Sequence, residues 1–199
     1  MYTIIEDCSP YYIRFKFDGM DKIIDICRTE LANVERNRNF QATDLSESAC
    51  SVILNLLPMA QNVNLMKRRV SFFITQAGWK HFAHKDGYDH RISINIPIRI
   101  LDDKCVTKWY SDEELSKYPL EVMEPKLNKA MRNLPSCNTD FHTPLKSVVL
   151  KADECVLFNT DIWHDFDNRL SNNERVVLTL RAMDPGQVYF EDAKRMIFG

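Results

Sequence analysis

Glycine is scarce in this chain: five in 199 residues, at 19, 78, 87, 186 and 199. No GxGxxG, Walker A or GxSxG pattern can be assembled from them. That excludes the phosphate-cradling loops of nucleotide-binding enzymes and the nucleophile elbow of serine hydrolases. Long apolar runs are also missing, and none approaches the ~18 to 20 residues that a membrane span needs. The first residues, MYTIIEDCSPYY, carry acids where a secretory leader would have a basic start and an apolar stretch. Neither sign of charge predominates, with 26 basic residues against 28 acidic ones and a net charge of −2. The chain therefore lacks the basic excess of a protein that neutralises nucleic-acid phosphates. The six cysteines, at 8, 27, 50, 105, 137 and 155, form no CxxC pair. This leaves no zinc clasp and no dithiol couple. They read as small buried hydrophobes in a soluble protein of a reducing, cytoplasmic compartment.

What is present is the composition of a packed domain, 45% hydrophobic and 27% charged. A chain of this length buries roughly 70% of its unfolded surface and needs no staples. The expected organisation is one domain over 1–199, with 1–69 mainly helical support, 70–110 and 147–183 a β core, and 111–146 an inserted loop or lid. After a short strand at Tyr12 to Phe17, the residues Met20, Ile23, Ile24, Cys27, Leu31 and Val34 recur at helical spacing. A second helix is expected from Asp44, capped with Glu47, through Ala49, Val52, Ile53, Leu56 and Leu57 to Pro58. From Val70 the period becomes two. Strands are expected around Val70 to Ile74, Lys80 to His84, Arg91 to Ile100, Cys105 to Tyr110, Ser147 to Leu150, Cys155 to Asn159 and Arg175 to Arg181. Such a series after two helices predicts an antiparallel barrel or jelly roll buttressed by helices.

The chemistry-bearing group is His84-Lys85-Asp86. On a strand, residues i and i+2 share a side, so the imidazole and the carboxylate converge. One further histidine from a distant strand completes a two-histidine, one-carboxylate facial triad, which holds iron(II) and leaves positions open for other ligands. His164 is the distal candidate. A lone HxD is most often a surface coincidence, but here it lies between a strand and a β-rich region. Arg175 adds a cation. If Asn172 and Asn173 form a two-residue hairpin turn, Arg175 pairs with Leu170 and faces the same side as His164. A guanidinium buried there needs an anion, and a carboxylate fits it in two places. Taken alone, Arg175 would read as a solvated strand end or a partner of Asp165 or Asp167.

From about Val70 to Arg181 the chain resembles the iron(II)/2-oxoglutarate-dependent oxygenases of the double-stranded β-helix type. His84-x-Asp86, His164 and Arg175 stand in that family's order and spacing. The stretches Arg91-Ile-Ser-Ile-Asn-Ile-Pro-Ile and Leu157-Phe-Asn-Thr-Asp-Ile-Trp-His are most similar to uncharacterised members of the kind carried by phages. A more distant similarity links the chain to aspartyl/asparaginyl β-hydroxylase-like proteins. The resemblance implies a jelly roll in which His84, Asp86 and His164 bind Fe(II) and Arg175 holds the far carboxylate of 2-oxoglutarate. It also implies that dioxygen drives hydroxylation of a small molecule or peptide with release of succinate and CO2. Many members place a serine two residues after that arginine, where this chain has Val177. Ser93, Asn95, Thr107 and Tyr110 are the candidates for the missing polar partner. Two other readings stand beside this one: a cupin-like metalloenzyme that does not use the keto acid, and a non-catalytic jelly-roll binding module.

The remaining candidates are expected to be structural. His81, three residues from His84, should point to the opposite face of the strand. His90 lies in a polar turn, and His142 sits in the lid, exposed. Asp161, Asp165 or Asp167 could orient the second nitrogen of His164. Trp79, Trp109 and Trp163 read as core, and Lys67-Arg68-Arg69 as the solvated end of a helix.

Overall fold

The computed structural model describes residues 1–63, 65–86, 91–117, 121–122, 135–182 and 188–199. The elements run β1 (Tyr2–Cys8), β2 (Tyr12–Phe17), α1 (Met20–Leu31), β3 (Phe40–Asp44), α2 (Glu47–Leu56), β4 (Leu65–Thr75), β5 (Ile92–Arg99) and β6 (Val106–Tyr110). There follow α3 (Asp112–Leu115), β7 (Glu121–Val122), β8 (Pro135–Ser136), β9 (Lys146–Val149), β10 (Cys155–Asn159), β11 (Trp163–Asp167), β12 (Arg175–Ala182) and α4 (Phe190–Phe198). A seven-stranded antiparallel sheet has the order β1-β2-β10-β5-β12-β4-β3, and a smaller one the order β11-β6-β9. The segment 80–84 bridges to β11 through Lys80↔Asp167 and His84↔His164, adding a short fourth rung to the smaller sheet. The chain crosses between the two layers from β4 to 80–84, to β5, to β6 and β9, to β10, to β11 and to β12. That alternation is a jelly roll.

Both faces of the large sheet are covered, so β5 and β12 are buried along nearly their whole length. The even-numbered isoleucines of β5 (Ile92 to Ile98) and Val176, Leu178 and Leu180 of β12 pack on the helices, against Ile23, Cys27, Ile53 and Ile197. The other face meets the small sheet through Tyr12, Trp109, Val148, Val156, Phe158 and Val177. The helical spacing is realised in α1, which buries Met20, Ile23, Ile24, Cys27 and Leu31.

The first third is less helical than its periodicity predicts. It contributes β1, β2 and β3 to the large sheet, two more strands than expected. Asp44 ends β3, and the cap of α2 is Ser46, whose Oγ accepts from the Ala49 amide at 3.2 Å. Val52 is exposed, and Cys50 takes its place on the buried face. The backbone of Lys67-Arg68-Arg69 is strand, within β4. All six cysteines are free and five are buried. Among the described residues no helix is long and apolar enough to cross a membrane. The expected lid 111–146 and the turn holding Gly87 and His90 lie partly or wholly outside the described residues.

Candidate metal centre

His84 and His164 occupy adjacent strands of the small sheet as a directly opposed pair. Each amide donates to the other residue's carbonyl at 3.0 Å, so both side chains leave from one face. Their rings lie 4.7 Å apart, centroid to centroid. Asp86 follows two residues after His84 on the same side and brings Oδ1 to 3.3 Å from His84 Nε2. One ligand atom from each of the three residues lies within 4.8 Å of the others. The HxD triplet and His164 thus meet at a single point, between the two sheets and largely shielded from solvent.

Tautomer is set by the backbone. His84 Nδ1 lies 2.9 Å from the Phe82 carbonyl, and His164 Nδ1 lies 2.9 Å from the Ile162 carbonyl. A carbonyl oxygen only accepts, so each Nδ1 donates its proton and each Nε2 presents a lone pair to the centre. The carboxylates expected to do this are elsewhere. Asp165 faces away, accepting from Tyr110 Oη at 2.9 Å and from Thr139 Oγ1. Burial, with the neighbouring His84, lowers the pKa of His164 to about 4 and keeps it neutral. Burial alone would raise the Asp86 carboxyl. The Arg181 guanidinium and the two imidazoles outweigh it and hold the group well below the usual carboxylate range. Arg181 Nη2 sits 3.2 Å from Asp86 Oδ2, opposite the oxygen that faces the histidines.

His81 is turned inward, contrary to the alternation argument, and the cause is a bulge. Three residues separate Lys80 from His84, while two separate His164 from Asp167 on the partner strand. The extra residue shifts the alternation, so side chains three apart share a face. The His81 ring lies 4.5 Å from His84 and 5.0 Å from Phe166, inside a cluster with Phe40 and Trp79. Its Nδ1 also reaches the Phe82 carbonyl, at 2.9 Å. Burial lowers its pKa to about 3. A register count between two strands would have revealed the bulge; one sequence read alone does not contain it.

Arg175 also faces the space between the sheets, for a different reason than the expected hairpin. β11 pairs with β6, and Arg175 stands opposite Thr75 on β4, while Leu170 is exposed in the connecting loop. Residue 175 is 6% exposed, and its guanidinium carbon sits 5.2 Å from the centre of the Phe166 ring. Phe166 follows His164 by two residues on the same face of β11, roughly 7 Å along the strand. Among the described residues no carboxylate or other acceptor hydrogen-bonds this guanidinium. Burial lowers its pKa, with Cys105 opposing the shift.

The four candidate polar partners separate cleanly. Thr107 is buried opposite Phe166 on the same inner face, and Phe166 is the ring against which Arg175 rests. Asn95 and Ser93 stand opposite Thr179 and Arg181, at the Asp86 end of β12, with Thr179 Oγ1 donating to Asn95 Oδ1 at 2.7 Å. They are four and six residues along the sheet from Arg175 and do not flank it. Tyr110 lies on the outer face of the small sheet with Ala83, Leu115 and Trp163, its hydroxyl committed to Asp165. It is not part of the cluster. His142 is buried rather than exposed, with Nε2 3.5 Å from Cys137 Sγ. At the rim, Asp112 of α3 accepts from Trp163 Nε1 at 2.6 Å and from Lys85 Nζ at 3.0 Å. These contacts anchor the start of the 111–146 segment beside the HxD triplet.

The fold is shared with a set of non-haem iron enzymes. The α-ketoglutarate-dependent carbocyclase SnoK from nogalamycin biosynthesis superposes with a TM-score of 0.53 at 12% identity, over 87% of this chain and 79% of that one. HygX from Streptomyces hygroscopicus, solved with nickel and 2-oxoglutarate bound, gives 0.52 at 11% identity, over 85% and 81%. A prolyl-4-hydroxylase from Pseudomonas putida gives 0.51 at 14% identity, over 88% and 93%. No protein-family model and no curated protein matches the chain. The architecture is therefore the double-stranded β-helix of these 2-oxoglutarate-dependent enzymes, shared at the level of fold.

Proposed function

We propose that the chain is an Fe(II)- and 2-oxoglutarate-dependent oxygenase acting on a small molecule or peptide. His84 Nε2, Asp86 Oδ1 and His164 Nε2 would hold the metal. Two imidazole nitrogens and a carboxylate oxygen suit a first-row divalent ion and leave one side open. Arg175 would take the far carboxylate of the keto acid, with the Thr107 hydroxyl in the role that Val177 cannot fill. The observation that carries this reading is the buried guanidinium of Arg175, without a hydrogen-bond acceptor among the described residues, one step along the sheet from the histidine–aspartate cluster. An unpaired buried cation is costly, and a dianionic ligand reaching from the metal to Arg175 satisfies both ends. A cupin-like metalloenzyme without a keto acid, or a passive binding module, would leave that cation without a purpose.

With iron bound, the group supplies oxygen activation coupled to loss of CO2 from the keto acid. The chain's own residues do the rest. The carbonyls of Phe82 and Ile162 fix both imidazoles with Nε2 inward, so no tautomer change precedes metal binding. Arg181 holds Asp86 by its outer oxygen, which keeps the other oxygen turned toward the histidines. Phe166, His81 and Trp79 form an aromatic cluster beside Arg175 that would keep water from a ligand held there. The test is succinate release from 2-oxoglutarate by the Fe(II)-loaded protein in air. The reading predicts slow release even without a prime substrate, lost in His84→Ala. Absence of succinate from the loaded wild-type protein would overturn it.

A further inference from the structure

The two inward-facing arginines of β12 differ in their company. Arg175 is buried, whereas the Arg181 side chain keeps 17% of its surface open and has one carboxylate partner among the described residues, Asp86. The reading above assigns the other Asp86 oxygen to a dication. A divalent metal and a dianionic keto acid cancel, and Asp86 offsets one guanidinium. One positive charge then stays uncompensated in a nearly dry site, which is unfavourable unless an anion arrives. The more open member of the pair, Arg181, is the one that an incoming anion reaches first.

The surroundings of Arg181 are those of an oxyanion cradle. Its Nε is buried and has no hydrogen-bond partner among the described residues, which leave that donor unused. The guanidinium rests 5.2 Å from the centre of the Phe73 ring, which supports it from one side. Ser93 stands directly opposite on β5, buried, and its Oγ accepts from Asn95 Nδ2 at 3.2 Å, which leaves its hydroxyl proton to donate. The geometry points to a prime substrate bearing an anionic group (carboxylate, sulfonate or phosphate) that docks on Arg181 and Ser93 beside the metal. This inference rests on the oxygenase reading and names its substrate class.

The test uses full-length protein loaded with Mn(II) and saturating 2-oxoglutarate. Fluoroacetate, trifluoromethanesulfonate and monofluorophosphate serve as separate probes, and trifluoroethanol as the neutral control. Paramagnetic broadening of the fluorine signal reads occupancy close to the metal. At least one anion should be broadened and the alcohol should not, and which anion responds identifies the group. Arg181→Gln should weaken that anion about tenfold or more, and Ser93→Ala, which leaves the Asp86 ion pair intact, about threefold. Loaded wild-type protein that broadens no anion, or an Arg181→Gln variant that binds equally well, overturns the inference while the oxygenase reading stands. Wild-type protein that takes up no Mn(II) and no 2-oxoglutarate overturns both.

Discussion

Phe82 and His84 are joined by a hydrogen bond from the imidazole Nδ1 to the Phe82 carbonyl at 2.9 Å, and the same carbonyl receives Nδ1 of His81. One backbone oxygen inside the bulge therefore orients two rings, one of them a proposed metal ligand. The extra residue that breaks the alternation of the strand also supplies the acceptor that fixes the tautomer of His84. The local irregularity and the site are parts of one arrangement.

Removing the guanidinium of Arg175 should separate function from stability. Arg175→Met deletes a buried cation that no acceptor among the described residues hydrogen-bonds, and keeps an apolar chain against Phe166, so the thermal midpoint should be unchanged or higher. The affinity of the metal-loaded protein for 2-oxoglutarate should fall roughly 30-fold or more. Calorimetry on the loaded variant and a melting curve on the free one check the two halves. A large loss of stability would mean that Arg175 has a structural partner.

Thr107→Val tests the assigned hydroxyl. The substitution keeps shape and β-branching, so the fold should hold. The variant should bind 2-oxoglutarate about tenfold more weakly, yet bind 2-oxobutyrate, which lacks the far carboxylate, as the wild type does. Equal loss for both keto acids would place Thr107 at the metal end instead.

Phe166 links the proposed metal and the Arg175 clamp through packing. It is buried among Phe40, Trp79 and His81. Phe166→Ala should destabilise the fold by about 3 kcal/mol, measured by urea denaturation. A cost below about 1 kcal/mol would show that the cluster collapses into the gap.

Acid should weaken the fold partly through Asp167. Burial would raise its carboxyl, but Arg169 and Lys108, at 2.8 and 3.1 Å, outweigh it and depress the folded-state pKa strongly. A depressed carboxylate contributes stability above its unfolded value of about 3.9, and that contribution fades as pH falls below it. Asp167→Asn should be less stable than the wild type at pH 7, and the gap should close toward pH 2. A gap that stays constant with pH would place the stabilisation elsewhere.

Much of the strand content of the second half was legible in the sequence, because period-two patterning in β5 and β12 and the short runs of β6, β9 and β10 have no helical alternative. The edge strands β1 and β3 were not, since their exposed sides leave no apolar alternation to read. His84, Asp86 and His164 stood out through spacing on strands, and the structure places them together. Arg175 was singled out by a hairpin that does not exist: β11 and β12 belong to different sheets, and each turns its side chain toward the space between them. His81 was assigned to the wrong face and Arg181 was not singled out, both for physical reasons. A bulge is a property of two paired strands, and an arginine on a strand end carries no local signal until its partner, Asp86, is brought up from 95 residues away.

The most direct measurement is a stepwise calorimetric titration under argon, first with Fe(II) and then with 2-oxoglutarate. The account predicts one Fe(II) per chain, then one 2-oxoglutarate that binds only after the metal, with both events lost in His164→Ala and only the second lost in Arg175→Met. Fe(II) binding that persists undiminished in His164→Ala, or 2-oxoglutarate binding without metal, would contradict it.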